Sequence, residues 1–289
     1  MRSHIRYSAN NPDNQLKNLH IVIFCDTEGV SRIPSNGFKY LRTGSTPWKH
    51  FGKRQLWFDV RAVIGGLRSQ GANHFVLWDI HDENTNLPKR RSGFNIDVVT
   101  QGDTQLWLSR WARHPFSAAL LIGTHARAGV RSAFFSHTID YSVRQVSVNG
   151  EEIGEIGLLA GFAGFFGTPV IMISGDLAAA MEAKRILPRL HACIVKQRID
   201  GADSLCPRKE ADKLLRSTCE TAIKELREAQ TLRFREPTRF SVTFRDSRIQ
   251  KIVSSAVSGL HRRGRRTIQW ESPNFLIGYK KLYDVMNSY

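Results

Sequence analysis

Long hydrophobic runs are missing from this chain. Nowhere does it hold the roughly 20 uninterrupted apolar residues that a membrane-crossing helix needs, although 41% of its 289 residues are apolar. That content is enough for a real core, and the chain reads as globular. The N-terminal stretch, with Arg2, His4, Arg6, Asn10, Asn11 and Asp13, lacks the apolar centre of a signal peptide, so a cytoplasmic location without membrane attachment is expected. Cysteine is scarce: Cys25, Cys193, Cys206 and Cys219 form neither a C-x-x-C pair nor a dense framework, and they read as reduced thiols. Acidic residues are outnumbered, 26 against 42 basic, giving a net charge of +16. Such an excess bears on partners and solubility, and says nothing about fold.

Much of that excess lies after Leu232, in Arg233, Arg235, Arg239, Arg245, Arg248 and the run Arg262-Arg263-Gly264-Arg265-Arg266. The run is either a solvated loop between a helix and a strand or a grip on phosphates. No nucleic-acid motif accompanies it, which favours the solvated loop and leaves nucleic acid as the lesser reading.

Strand and helix signals alternate along the rest. Residues 1–18 are polar and without periodicity, an extension before the fold. Ile21 to Cys25 is a buried strand, Leu56, Val60, Val63, Ile64 and Leu67 recur at helical spacing up to Gly71, and Phe75 to Trp78 is a second strand. Leu106, Trp107, Leu108 and Trp111 suggest a helix before the strand Ala119 to Gly123. Val143 to Val148 with Asn149-Gly150 is a strand and turn, Ile156 to Phe166 a buried glycine-containing helix, and Pro169 to Ile173 a strand. A helix over Ala178 to Leu187, a strand over Ala192 to Val195 and a long amphipathic helix opened by Pro207 follow. The order predicts an α/β fold, a mostly parallel sheet flanked by helices over 19–200. Residues 201–289 then add that helix and a smaller basic α/β unit.

Three of the strands end in metal-capable side chains. Asp26-Thr27-Glu28-Gly29 follows the first, Asp79 and His81 the second, and His125 the third. Ligands of open α/β sheets gather outside the carboxyl ends of the strands, so Asp26, Glu28, His81 and His125 share one expected site. A lone histidine after a strand is more often structural than a ligand; the combination carries the inference. Mixed carboxylate and imidazole donors suit Zn²⁺, Mn²⁺ or Fe²⁺ better than Ca²⁺.

Asp26-Thr27-Glu28-Gly29, Asp79-Ile80-His81, Gly123-Thr124-His125-Ala126-Arg127-Ala128, Ser136-His137 and Gly154-Glu155-Ile156-Gly157 occur in that order. In this the chain resembles the DppA-like D-aminopeptidases, which are binuclear zinc peptidases. Val148-Asn149-Gly150, Gly175-Asp176, Val195-Lys196-Gln197 and Leu205-Cys206-Pro207 extend the similarity to roughly Leu19–Leu226. The resemblance implies two Zn²⁺ per subunit, Asp26 between them, Glu28 and His81 completing one site and His125 and Glu155 the other. Metals sharing one carboxylate about 3.5–4 Å apart can act on a single water and a scissile carbonyl together. His137 is then catalytic, in the family sometimes as nucleophile, and by physical reasoning as acid/base or oxyanion-stabilising imidazole.

Blander readings stand beside these. Glu155 also suits a helix N-terminus, His137 a loop, and Asp79 a turn or a group that orients His81. Arg127 and Asp176 are weaker candidates, Arg127 for a carboxylate or for loop support. His4, His20, His50, His74, His114, His191 and His261 read as structural or exposed. Ile80 stands where the family often has a small polar residue, and Arg54, Trp57, Phe58 and Arg61 occupy a helix where relatives tend to be acidic and small, pointing to an altered amino-group pocket. The expected function is removal of the N-terminal residue of short peptides, D-configured by resemblance, in a ring-shaped homo-oligomer. The alternatives are a metal fold whose Arg-rich C-terminal face binds an anionic polymer, and hydrolysis of another amide.

Overall fold

Ile21, Ile23 and Cys25 point into one hydrophobic core while Val22 and Phe24 point into another. This period-two division, with both faces apolar, marks a strand covered by helices on both sides. In the computed structural model, residues 5–9, 19–82, 85–88, 95–99 and 104–289 are described. Along them run β1 (Ile5–Ala9), β2 (His20–Cys25), α1 (Lys53–Ser69), β3 (His74–Asp79), β4 (Ile96–Val99), α2 (Thr104–Arg113) and β5 (Ala118–Thr124). Next come β6 (Val143–Val148), β7 (Glu151–Ile153), α3 (Glu155–Phe165), β8 (Val170–Asp176), α4 (Leu177–Ile186), β9 (His191–Ile199), β10 (Ala202–Leu205) and α5 (Arg208–Lys224). The chain closes with β11 (Gln230–Phe234), β12 (Thr238–Phe244), α6 (Ser247–Ala256), β13 (His261–Arg263), β14 (Thr267–Ser272) and α7 (Phe275–Met286).

The main sheet has seven strands in the order β10-β9-β8-β5-β2-β3-β4, parallel except for the edge strand β10. The expected mostly parallel sheet is therefore present. One face is covered by α1 and α5, which pack against each other and bury Leu56, Val60, Val63, Leu215 and Cys219 in the same core. Against the other lies α3, buried along nearly its whole length. A helix apolar on every side needs neighbours on every side, and α3 has them in β5, β8, β11 and α7.

The second sheet draws on both sides of residue 200: β6 and β7 pair into a five-stranded antiparallel sheet, order β13-β14-β12-β6-β7, most of which comes from the C-terminal residues. The Val143–Val148 strand finds its partner in β12, nearly 100 residues onward, with Val146 opposite Val242. Within the N-terminal extension, β1 pairs antiparallel with β11, Ile5 opposite Phe234. His4 lies outside the described residues.

Among the described residues no helix is long and apolar enough to cross a membrane. All four cysteines are free thiols, three of them buried. The arginine run forms the exposed β13–β14 hairpin and its turn, where Arg262 donates to Gln250 and Arg263 to Gln269.

Candidate metal centre

The central strand of the site is β2, with β3 on one side and β5 on the other. Cys25 stands level with Asp79 in β3 and with Ile122 in β5. The register holds one residue further, since the Asp26 N–H donates to Ile122 (2.8 Å) and Ile80 N–H to Cys25 (3.0 Å). Adjacent strands are spaced by about 4.8 Å, so Asp26 lies between the segments bearing His81 and His125. The chain passes from β2 to β3 on one side and later to β5 on the other, a point where ligands collect in such sheets.

Two glycines allow the turns after β2 and β5 to close on each other. A Cβ on Gly29 would stand 2.2 Å from the Thr124 carbonyl oxygen, and one on Gly123, whose φ is +74°, 2.2 Å from the Asp26 carbonyl oxygen. The Gly29 N–H donates to the Gly123 carbonyl at 2.6 Å. The glycines of the two motifs are needed because the ligand-bearing backbones touch.

Asp26 turns one oxygen to each side. Oδ1 is 3.3 Å from His81 Nδ1 and Oδ2 is 3.7 Å from His125 Nε2. Glu28 Oε2 approaches His81 Nδ1 at 2.8 Å, and Glu155 Oε1 approaches His125 Nε2 at 3.2 Å and His137 Nε2 at 3.9 Å. All five side chains named from the resemblance, and His137, therefore meet at one point. Candidate ligand atoms of Asp26, Glu28 and His81 lie within 4.8 Å of one another, and those of Glu28, His125 and His137 form a second such group. His137 is thus near enough to be a ligand as well as a catalyst. Glu155 begins α3 and also accepts the Ile139 N–H at 2.7 Å, combining its helix-start and site positions.

Each imidazole is oriented by a main-chain carbonyl. His81 Nε2 donates to Leu41 (2.9 Å), His125 Nδ1 to Ala126 (3.0 Å) and His137 Nδ1 to Phe135 (2.8 Å). A carbonyl only accepts, so the proton is fixed on that nitrogen and the other presents a lone pair to the cluster. Glu28 Oε2 is buried without a hydrogen-bond donor although His81 Nδ1 is adjacent. With the imidazole neutral, lone pair would face lone pair there, and either a proton or a cation relieves that arrangement.

The titrations tell the same story. Burial, then the charge of Glu28, pushes Asp26 far up, whereas Glu28 is held far down because His81 and a hydrogen bond from Asp26 outweigh its burial. Burial opposes charge on His81 and His125, yet Glu28 and Asp26 raise the first and Glu155 raises the second well above the usual imidazole value. Glu155 itself, despite burial, is lowered to about 2, chiefly by His125. Protons balance the buried carboxylates in these shifts, and a divalent ion would displace them. Burial and the nearby His125 lower His137.

The remaining candidates are supports. Asp79 accepts from the N–H groups of His81, Asn86 and Leu87, bracing the turn that carries His81. Arg127 pairs with Glu152 at 2.6 Å and holds its own loop. Asp176 caps α4 and accepts the Phe134 N–H. Of the other described histidines, His74 pairs with Asp97 and His191 with Glu225. Trp57 and Arg61 line a separate cavity of about 270 Å³ with Arg68 and Arg216, and Phe58 lies under Arg208.

Sequence reasoning places Lys196 only within a motif, without a role, and passes over Tyr141. Lys196 is buried inside β9 and donates to the carbonyls of Glu28 and Ile33, fixing the loop after β2. Tyr141 stacks on His137, ring centroids 4.5 Å apart, with His137 stacked in turn on His125 at 3.9 Å. A lysine among apolar strand residues was a visible signal; Tyr141, in a loop, gave none.

A parallel sheet with buried carboxylates and imidazoles converging at its carboxyl edge defines a metal-binding α/β enzyme of the hydrolase kind. Residues 19–284 match the family model Peptidase M55, D-aminopeptidase, and the chain belongs to that family of peptidases. It is 27% identical over 188 residues to a D-aminopeptidase of Bacillus subtilis (strain 168), covering 65% of this chain and 67% of that protein. Its fold matches the solved Zn-dependent D-aminopeptidase DppA of Bacillus subtilis, described as a self-compartmentalizing protease, with a TM-score of 0.83. That match has 23% identity and covers 93% of this chain and 97% of the other.

Proposed function

We propose that this family member is a zinc-dependent aminopeptidase that removes the N-terminal residue, D-configured included, from short peptides. The observation that carries the reading is Asp26, whose two oxygens each face a different imidazole with its proton fixed elsewhere. Asp26, Glu28 and His81 would hold one Zn²⁺, and Asp26, His125 and Glu155 a second, with His137 beside the second group. When bound, the ions would supply Lewis-acid activation of water and of the scissile carbonyl. His137, kept neutral by burial, offers Nε2 to take a proton from the attacking side and return it to the leaving amine. The names of the Bacillus matches support zinc and D-peptides, and "self-compartmentalizing" supports a ring-shaped homo-oligomer. A cytoplasmic location is part of the same proposal.

The test pairs metal analysis of the purified protein with turnover of D-Ala and L-Ala dipeptides and amides. Two zinc ions per subunit and D-selective release are expected. If no metal co-purifies or can be restored, and Asp26→Ala leaves folding and all hydrolysis unchanged, the reading is wrong.

A further inference from the structure

Three aromatic side chains at the mouth of the centre have no part in the chemistry above. Phe38 is 55% and Tyr141 43% exposed, large apolar groups left in water beside the buried cluster. Their rings meet at 5.9 Å, and Phe38 also meets Phe135 at 6.3 Å. Phe38 and Tyr141 are about 100 residues apart in the chain and meet at this mouth. Tyr141 is the outermost ring of the column that descends through His137 to His125, with neighbouring planes within 16° of parallel.

The rings are held by their backbones. Leu41, three residues beyond Phe38, lends its carbonyl to His81. The Tyr141 carbonyl accepts from Arg245 Nε at 2.9 Å, the Ser142 carbonyl accepts from the Arg245 N–H at 2.8 Å, and the Ser142 hydroxyl bonds Tyr289 at 2.8 Å. Part of the C-terminal basic excess therefore braces this mouth. Exposed rings that are already ordered give a ligand apolar contact with little further loss of freedom.

We propose that Phe38, Phe135 and Tyr141 form a platform for an aromatic or bulky aliphatic side chain in one of the first two residues of the peptide, so that such peptides are preferred over those of alanine alone. The proposal rests on the aminopeptidase reading, which supplies the peptide and places its scissile bond at the adjacent cluster. Stacking and apolar burial of one ring correspond to a preference of about tenfold.

The zinc-loaded protein is assayed with D-Phe-D-Ala, D-Ala-D-Phe and D-Ala-D-Ala. One of the first two should exceed the third by about tenfold in kcat/KM, mainly through KM. In Phe38→Ala the ratio should fall toward one, and Phe38→Trp should restore it. A structural role would lower all peptides alike and keep the ratio, so an unchanged ratio in Phe38→Ala, or no aromatic preference in the parent, overturns the platform. Isothermal titration of the same peptides gives a readout without turnover. If nothing is cleaved, the peptidase reading falls, but tighter binding of an aromatic peptide that is lost in Phe38→Ala upholds the platform; equal binding of all three sinks it.

Discussion

Asp59 offers a test of how the loop after β2 is supported. It is buried on α1 and accepts two hydrogen bonds from Ser31, from N–H to Oδ2 at 2.7 Å and from Oγ to Oδ1 at 2.6 Å. Burial pushes its carboxyl from 3.8 up to about 6, although Ser31, Arg208 and Lys196 pull the other way. A rise of about two pH units corresponds to about 3 kcal/mol. The native state holds the proton more firmly than the unfolded chain, so this stability is present below pH 3.8 and is lost as pH climbs through about 6. Asp59→Asn keeps the shape: its carbonyl accepts the Ser31 N–H and its amide donates to Ser31 Oγ, with no charge to desolvate. The variant should therefore be more stable than the parent at pH 8, by up to about 3 kcal/mol, with the gain about 1.4 kcal/mol smaller at pH 5. Urea unfolding of both proteins at the two pH values, at equal zinc concentration, measures the difference. A variant less stable at pH 8, or a gain independent of pH, would refute the reasoning.

Asp26→Asn should lower zinc content at both positions, whereas Glu28→Gln should empty mainly one; equal losses measured by elemental analysis would remove the bridging role. His137→Ala should cut kcat by about 10²–10⁴-fold while zinc content holds, and a fall in zinc instead would make His137 a ligand. Replacing Arg262, Arg263, Arg265 and Arg266 by alanine should leave retention on immobilised nucleic acid little changed, because little is expected in the parent. Salt-sensitive retention that collapses in the variant would revive the anionic-polymer alternative.

What the sequence shows of this fold follows from the range of its signals. Ile21 to Cys25 and Ala119 to Gly123 are legible because a strand covered on both faces is apolar at every position. Val143 to Val148 is legible as a strand but not in its pairing, since its partner β12 comes from the far end of the chain. β4, β7, β10 and β13 have three or four residues each, too few for a period to repeat. In the site, the side chains that would touch a metal could be named, for motifs record residue types. The groups that aim them could not: Leu41 serves His81 through a carbonyl that every residue possesses, and Phe135 serves His137 in the same way.

The bridging position proposed for Asp26 follows from strand order more than from its own neighbours in sequence. The central strand of β5-β2-β3 has a histidine-bearing turn on either side, and the residue just past its end lies between them. Glu28, two residues on, points from the same edge but stands nearer the His81 side, with Oε2 at 2.8 Å from that imidazole. A one-residue slip of β2 would carry Asp26 to the other face of the sheet and break the contact in which Gly29 and Gly123 let the two turns meet. The glycines, the parallel register and the ligand spacing are thus one constraint. Gly29→Ala should therefore cost metal affinity as well as stability, although the residue bears no ligand atom. Parent-like zinc affinity in a folded Gly29→Ala protein would show that the turns can separate without moving Asp26, and that the bridge does not depend on their contact.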